Sequence, residues 1–468
     1  MIVNYVKKLL IFFCLAACAR MTTLAETKPN ILFIALDDMN DWTHLFDENN
    51  PIHTPNLQRL ASRGMFFENA YCASPACSPS RAAVMTGRAP HKSGIGGNGA
   101  AWAKKVPDAE VIPRWFLKHG KYDTRAGGKI FHHGKGGDDP PGKPSFQKVD
   151  HLHKHAGKPE LNYNGYTKGR LRGSGFDWGE HNVDMHCDDY TVEWGSKIMH
   201  EEWKEGMTPQ FLALGIFRPH LPFWAPSRFF EKYPANEKLI LPPMLENDFN
   251  DIPEIGIKMT LKEGFFQDTI LDQKDYSVGS NEQLVRCYQA ASTFADDFIG
   301  RILDELDKTG QADNTIIVLW SDHGYHLGDK NCFVKFTLWE KANHVPFIVV
   351  APGITKPGSR CTAPVSLLDI YPTLVELARL PANPKNDGVS LVPLLKDPQT
   401  KWERPALMTF QKGNHAIKTR DYRYIRYNDG SEELYAHADN WNHTNLVGNP
   451  EYTSVLEGHR ILMDGVLE

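Results

Sequence analysis

The segment Cys77-Ser78-Pro79-Ser80-Arg81 places a thiol, two hydroxyls and a permanent cation within five residues. Ser78 is a good N-cap and Pro79 a good first helical residue. The spacing therefore predicts a helix with Cys77 at its mouth, where free backbone N–H groups and the helix dipole favour an anion. Arg81, in the first turn, is aimed at the same anion. By itself the segment also reads as a capped helix with an incidental thiol. A second constellation is acidic: Asp37 and Asp38 end one apolar run, and Asp322, followed by His323, ends another. Taken singly, each acid reads as a strand-end cap. Three gathered carboxylates repel and raise one another's pKa unless a cation lies among them, and such oxygen-rich sites suit calcium or magnesium. His186-Cys187-Asp188-Asp189 has the look of a metal cluster, but Asp188 or Asp189 reads better as the cap of the helix that follows.

These residues need elements to hold them. Residues 30–36, 211–217, 315–320 and 347–351 are continuous apolar runs of strand length, the pattern of strands buried on both faces. The first three run directly into Asp37-Asp38, Arg218-Pro219-His220 and Ser321-Asp322-His323. In open α/β sheets the site lies beyond the carboxyl ends of the strands, so three strands bring chemistry to one edge. From Glu282 to Lys308, apolar residues recur at steps of three or four, predicting a core-facing helix stopped by Gly310. Residues 55–61 and 367–377 read as further helices, and residues 134–180, rich in Gly, Lys, His and Pro, as a long insertion. Beyond about residue 395, short strands at 416–418, 422–427 and 433–435, with the turn Asn428-Asp429-Gly430, predict a small antiparallel subdomain.

The 468 residues are 41% hydrophobic and 23% charged, with 31 Pro and 37 Gly scattered rather than periodic, which excludes collagen, coiled coil and wholesale disorder. The net charge of -5 excludes a general nucleic-acid binder, since phosphate contacts need a basic face. An anionic substrate must then be held by a local basic pocket. Residues 1–25 read as an export signal: Lys7 and Lys8 precede an apolar run at 9–17 that is too short to span a bilayer. Two processing sites compete, one after Ala25 and a lipobox-like Leu15-Ala16-Ala17-Cys18. The expected location is therefore the periplasm or a lipid-anchored cell surface. No other stretch predicts a transmembrane segment. Outside the leader six cysteines remain, with no CxxC pair and no zinc-ribbon spacing.

The chain resembles the formylglycine-dependent sulfatase family, in which a Cys-x-Pro-Ser-Arg signature directs oxidation of the cysteine. The resemblance spans nearly the whole mature chain: Lys28-Pro29-Asn30-Ile31 leading to Asp37-Asp38, His53-Thr54-Pro55-Asn56-Leu57, Cys77 to Arg81, Gly128-Lys129-Ile130-Phe131-His132, Ser321-Asp322-His323-Gly324, and Glu433-Leu434-Tyr435. Within the family it most resembles the iduronate-2-sulfatase branch, which shares Gly-Lys-x-Phe-His, Pro-His-x-Pro-Phe and Ser-Asp-His-Gly. Met85 stands where the extended signature has Leu, a near-isosteric exchange. His323 stands where many sulfatases have Asn, and the iduronate branch shares the His.

The resemblance implies an alkaline-phosphatase-like α/β fold, a large mixed sheet sandwiched by helices, with a catalytic domain over 26–395 and a C-terminal antiparallel-sheet subdomain over 396–468. It implies one calcium ion bound by Asp37, Asp38, Asp322, His323 and the oxidised Cys77. Lys129 and His132 match the family's pair beside the formylglycine, with His133 adjacent and confusable. His220 matches a substrate-sulfate histidine, and Lys335, flanked by Lys330 and Lys341, a second sulfate-binding lysine. One hydroxyl of the hydrated aldehyde would attack sulfur while calcium, Arg81, Lys129 and Lys335 stabilise the sulfate charge. His220 would protonate the departing oxygen, and His132 would deprotonate the second hydroxyl to expel sulfate. The partners implied are a formylglycine-generating maturation enzyme and a sulfated polysaccharide or its oligosaccharides, with glycosaminoglycan and ulvan both fitting. The alternatives are a phosphodiesterase or phosphonate monoester hydrolase on the same fold, which would use Thr or Ser and two zinc ions, or a sulfatase of a small sulfate ester. A glycan-binding protein on an inactive scaffold is opposed by the intact Cys77, Arg81, Lys129 and His132.

Overall fold

Strand β1 (Asn30–Asp37) is buried along its whole length, and its side chains alternate between two separate cores. Ile31, Phe33 and Ala35 face one; Leu32, Ile34 and Leu36 face the other. A strand covered on both faces gains from apolar residues at every position, hence the unbroken run in the sequence. The computed structural model describes residues 28–132, 144–150, 178–263 and 281–468. The expected leader at 1–25, His133 and most of the insertion at 134–180 lie outside them.

Around β1 an eight-stranded sheet forms from β2 (Met65–Phe67), β3 (Asp123–Gly128), β4 (Lys148–Asp150), β5 (Gln210–Pro219), β6 (Thr315–Ser321), β7 (Phe347–Val350) and β8 (Ser359–Cys361). Its order is β8-β2-β7-β6-β1-β5-β3-β4. Strands β6, β1, β5, β3 and β4 are parallel; β7 runs antiparallel to both β6 and β2. The sheet is therefore mixed, as expected. The reversal of β7 explains why it alone, of the four apolar runs, ends without chemistry: its carboxyl end lies at the opposite edge.

One face of the sheet carries α1 (Pro55–Ala61), α3 (Cys187–Glu202) and α4 (Asn281–Thr309); the other carries α2 (Cys77–Thr86) and α5 (Ile370–Leu377). The periodic residues of α4, from Leu284 to Leu306, are buried, and Gly310 ends the helix with a left-handed φ of +68°. Helix α1 has no capping side chain of its own. Instead Asp296 of α4 accepts from Asn56 N at 2.9 Å and Leu57 N at 2.7 Å. No helix among the described residues is long and apolar enough to cross a membrane.

The C-terminal antiparallel sheet comprises β9 (Ala406–Thr409), β10 (His415–Lys418), β11 (Tyr422–Arg426) and β12 (Glu432–Ala436), covered on one side by α6 (Thr453–Leu467) through Ile417, Tyr424, Leu434, Leu456 and Met463. Its other side docks on Tyr71, Leu338 and Trp339. Buried polar groups fix the join: Glu340 accepts from Tyr71 Oη and Arg423 Nε, both at 2.7 Å, and Glu433 accepts from Trp339 Nε1 at 2.7 Å. Burial works to raise the Glu340 carboxyl, but Arg423 and Lys418 hold it well below its usual range. The six cysteines of the described residues are all free and buried.

Candidate active site

Four neighbouring parallel strands, β6, β1, β5 and β3, end at one edge, and the residues that follow them converge. Asp37 is the last residue of β1. Asp38 turns away with a φ of +66°, a region that Asp tolerates better than most residues. The turn is held from behind by Tyr288 of α4, whose hydroxyl donates to Asp38 O at 2.6 Å and accepts from Asn40 N at 3.1 Å. β6 delivers Asp322 and His323, and β5 delivers His220. β3 delivers Lys129, because Gly128 (φ +70°) and Gly215 let the two strands approach closely: a Cβ at Gly128 would lie 2.0 Å from Gly215 O.

Helix α2 closes the site from one side. It begins two residues earlier than the sequence predicted: Ala76 is the N-cap, in extended conformation, and Cys77 is the first helical residue. Ser78 is therefore not the cap. Its N–H donates instead to Asn98 Oδ1 at 2.9 Å, a capping group that follows the helix in the chain. Ser80 Oγ donates to Asp322 O at 2.5 Å, tying α2 to β6.

Arg81 was expected to face the anion. In the structure its guanidinium has no exposure; it pairs with Asp322 Oδ2 at 2.7 Å and Asp37 Oδ1 at 3.5 Å, and donates to the carbonyls of Leu36 at 3.0 Å, Ile130 at 3.2 Å and Lys129. It clamps three strand ends together, with its charge spent on the acids.

The remaining groups surround Cys77 Sγ. Lys335 Nζ and His323 Nε2 each lie 3.2 Å from it. Lys335 also donates to Asp38 Oδ1 at 2.7 Å, and Lys129 donates to Asp37 Oδ2. His220 Nδ1 lies 2.6 Å from Leu221 O; a carbonyl only accepts, so Nδ1 carries the hydrogen, leaving Nε2 as an acceptor 3.8 Å from Asp38 Oδ2. Burial pushes the Cys77 thiol up to about 12, against the pull of Lys335 and Lys129, so the unmodified thiol is a poor nucleophile. Burial, with Lys129 assisting, takes His132 down to about 3, leaving a neutral imidazole whose Nδ1 is buried without a hydrogen-bond partner.

The carboxylates respond unequally. Burial works to raise Asp37, but Lys129, His220, Arg81 and Lys335 outweigh it and hold it well below the usual range. Asp38 is raised, by burial first, with Asp37 and Asp322 adding to it and Lys335 and His323 opposing.

The family model described as Sulfatase matches residues 29–380, and one described as N-sulphoglucosamine sulphohydrolase, C-terminal, matches 328–463. The chain belongs to the sulfatase family. A sulfatase of Formosa agariphila is 35% identical, covering 97% of this chain and 91% of the relative. An ulvan-active sulfatase of the same organism is 27% identical (96% and 83% covered), and human iduronate 2-sulfatase is 26% identical, with 84% of each covered. The phosphonate monoester hydrolase of Agrobacterium radiobacter superposes with a TM-score of 0.75 at 20% identity, over 94% of this chain and 95% of that one, a likeness of fold.

The acidic cluster of this sulfatase fits a hard cation. One ligand atom each from Asp37, Cys77, Asp322 and His323 lie within 4.8 Å of one another, as do those of Asp37, Asp38, Cys77 and His220. Asp38 Oδ2 is buried and accepts no hydrogen bond, and Asp37 Oδ1 has only the Arg81 ion pair at 3.5 Å; buried carboxylate oxygens left this way are costly unless a further cation takes their lone pairs. Arg81, Lys129 and Lys335 already offset the three acids, so a divalent ion leaves the site positive and receptive to an anionic ester. His220 was expected on the substrate side only; the structure also puts it among the candidate ligands. Asn98 and Tyr288 were not singled out in the sequence. Tyr288 left one signal, a hydroxyl among the apolar positions of α4; Asn98, contacting α2 across a loop, left none. His186-Cys187-Asp188-Asp189 is resolved as the helix start: Asp189 Oδ2 accepts from His186 N at 2.7 Å in a capping box. A cavity of about 560 Å³ lined by Lys28, Asp313 and Arg379 lies at the opposite edge of the sheet, far from these groups.

Proposed function

We propose that this sulfatase is an exported enzyme that hydrolyses sulfate esters of a uronic-acid-containing glycan, such as ulvan or a glycosaminoglycan, or of its oligosaccharides. The observation that carries the reading is the placement of Cys77 at the first residue of α2, its sulfur 3.2 Å from both Lys335 and His323 and within the carboxylate cluster. In this reading a maturation enzyme oxidises Cys77 to formylglycine, and Asp37, Asp38, Asp322 and His323, with residue 77, hold one calcium ion. The ion, when bound, supplies positive charge to the non-bridging sulfate oxygens. The ulvan-active and iduronate-directed relatives support the substrate class, and the export reading rests on residues 1–25.

The chain's own groups divide the work. The hydrated aldehyde at position 77 offers two hydroxyls on one carbon, the first for attack on sulfur. Lys335 and Lys129, the two ammonium groups beside the residue, bind the sulfate and stabilise the charge that builds on it. His220 faces the leaving side. Its Nε2 is unprotonated in the free protein, and burial with Lys335 and Lys129 nearby keeps the ring's pKa well below its ordinary value. An incoming anion favours the protonated ring, so substrate binding arms His220 as the acid that protonates the sugar oxygen. His132, neutral and with a free ring nitrogen, takes the proton of the second hydroxyl, and collapse to the aldehyde expels sulfate.

The test joins mass spectrometry of the Cys77 peptide, from protein co-expressed with a maturation enzyme, to sulfate release from a panel of ulvan, heparan sulfate and chondroitin sulfate oligosaccharides. Formylglycine at position 77 and release from at least one uronate-containing glycan are expected. Fully active enzyme carrying only a thiol at Cys77 would overturn the mechanism, and turnover confined to small sulfate esters would overturn the substrate class.

A further inference from the structure

Asp188 is freed from the capping role the sequence offered it, since Asp189 takes that role. It is nevertheless fully buried, at the start of α3, where the helix dipole favours a carboxylate. Its two oxygens accept from two consecutive backbone amides at the end of β5: Oδ1 from Phe217 N at 2.7 Å and Oδ2 from Arg218 N at 3.1 Å. The buried guanidinium of Arg218 supplies the counter-charge. Burial pushes Asp188 up to about 6, with Arg218 and the two amides opposing.

The gripped segment leads into His220 and packs against Lys129, two groups of the active site. His220 N donates to Phe217 O at 3.0 Å, closing a turn whose first residue is the one Asp188 holds. The Phe217 and His220 rings lie 4.8 Å apart, and Lys129 Nζ stands 4.9 Å above the Phe217 ring. A side-chain carboxylate that spans two successive amides fixes both peptide planes, and so fixes the direction in which the end of the strand runs into His220.

We propose that Asp188 is a positioning residue for sulfate-ester cleavage: by gripping the Phe217 and Arg218 amides it fixes the ring of His220 over the leaving side of the site. It touches no reacting atom. The proposal rests on the reading of His220 as the leaving-side acid, and the experiment separates the two. Asp188→Asn, which keeps the shape but retains one acceptor oxygen in place of two, is combined with His220→Ala in a double-mutant cycle, with kcat and KM measured on the sulfated oligosaccharide the enzyme turns over and thermal unfolding followed for each variant.

Asp188→Asn should lower kcat about 10-fold, the scale of losses seen when a group orienting a site residue is removed, with KM within about 2-fold. In the His220→Ala background the same substitution should cost less than about 2-fold, because the residue it positions is gone. Equal losses in both backgrounds, tracking a lowered unfolding temperature, would show a purely structural role and overturn the proposal. No loss in either background overturns it as well. A His220→Ala enzyme with unchanged turnover refutes the reading of His220 itself, and the proposal falls with it. A series of aryl sulfates gives a second readout: the Asp188→Asn loss should grow as the leaving group becomes more basic, and a loss independent of leaving group argues against action through His220.

Discussion

Asp38→Ala is expected to abolish turnover, lowering kcat/KM by about 10³-fold or more, which corresponds to about 4 kcal/mol of transition-state stabilisation. Asp38 joins three functions. Its Oδ1 accepts from Lys335 at 2.7 Å and lies 3.3 Å from His323 Nδ1, and its Oδ2 is a buried oxygen without a hydrogen bond. Removing the carboxylate takes away a proposed cation ligand and the counter-charge that holds Lys335 beside residue 77. It also leaves a buried ammonium with less compensation, a change that costs about 3–5 kcal/mol when a buried pair is broken. Asp38→Asn separates the effects: the shape and one acceptor oxygen remain, so folding should be preserved while cation binding is weakened. Elemental analysis should find one calcium-class ion per chain in active enzyme, lost or substoichiometric in both variants. Two zinc ions per chain in active enzyme would favour a phosphodiesterase or phosphonate monoester hydrolase instead, and an Asp38→Asn enzyme with full metal and full rate would remove Asp38 from the ligand set.

The parts of this site that the sequence disclosed share a physical origin. β1, β5 and β6 are buried on both faces, so each is a continuous apolar run, and a run that stops abruptly at Asp37, His220 or Asp322 marks both the strand and its carboxyl end. β3 was missed because Asp123-Thr124-Arg125-Ala126-Gly127-Gly128 has neither an apolar run nor alternation. It is a strand because β5 pairs with it along six residues and Arg125 is neutralised by Asp123 and Glu202. Lys129 and His132 were therefore found by family resemblance and not by any strand signal. β9 and α6 were missed as well: Ala406 and Met408 of β9 pack against Tyr71, Leu338 and Trp339, and Leu456 and Met463 of α6 against the C-terminal sheet, so both owe more to tertiary packing than to local propensity. Arg81 shows the opposite limit. Its position at the start of α2 was legible, but its direction was set by Asp37, Asp322 and three carbonyls, which belong to other strands. Spacing along the chain cannot display contacts of that kind.

Lys335 and His132 should separate the two halves of the reaction. Lys335 Nζ lies 3.2 Å from Cys77 Sγ and 2.7 Å from Asp38 Oδ1, where an ammonium stabilises charge building on the sulfate during transfer. Lys335→Ala should therefore slow the first half, lowering kcat/KM by about 10²-fold or more with no sulfated enzyme accumulating. His132 carries no positive charge at neutral pH, since burial and Lys129 hold its ring at about 3. In the free protein it contributes a lone pair and not a charge contact, and an anionic sulfate ester beside it would raise its basicity for the step that removes a proton from the intermediate. His132→Ala should leave the first turnover nearly intact and stall the second half. The enzyme should then release about one equivalent of desulfated product per active site and accumulate as the sulfate ester at position 77, with the steady-state rate lower by about 10²–10⁴-fold. Rapid-quench kinetics and intact-protein mass spectrometry read both outcomes. A His132→Ala enzyme that turns over slowly with no burst and no trapped sulfate would assign the proton transfer elsewhere. His133, the next residue in the chain, is then the group to replace, because the Gly-Lys-x-x-His spacing that selects His132 differs from it by a single position.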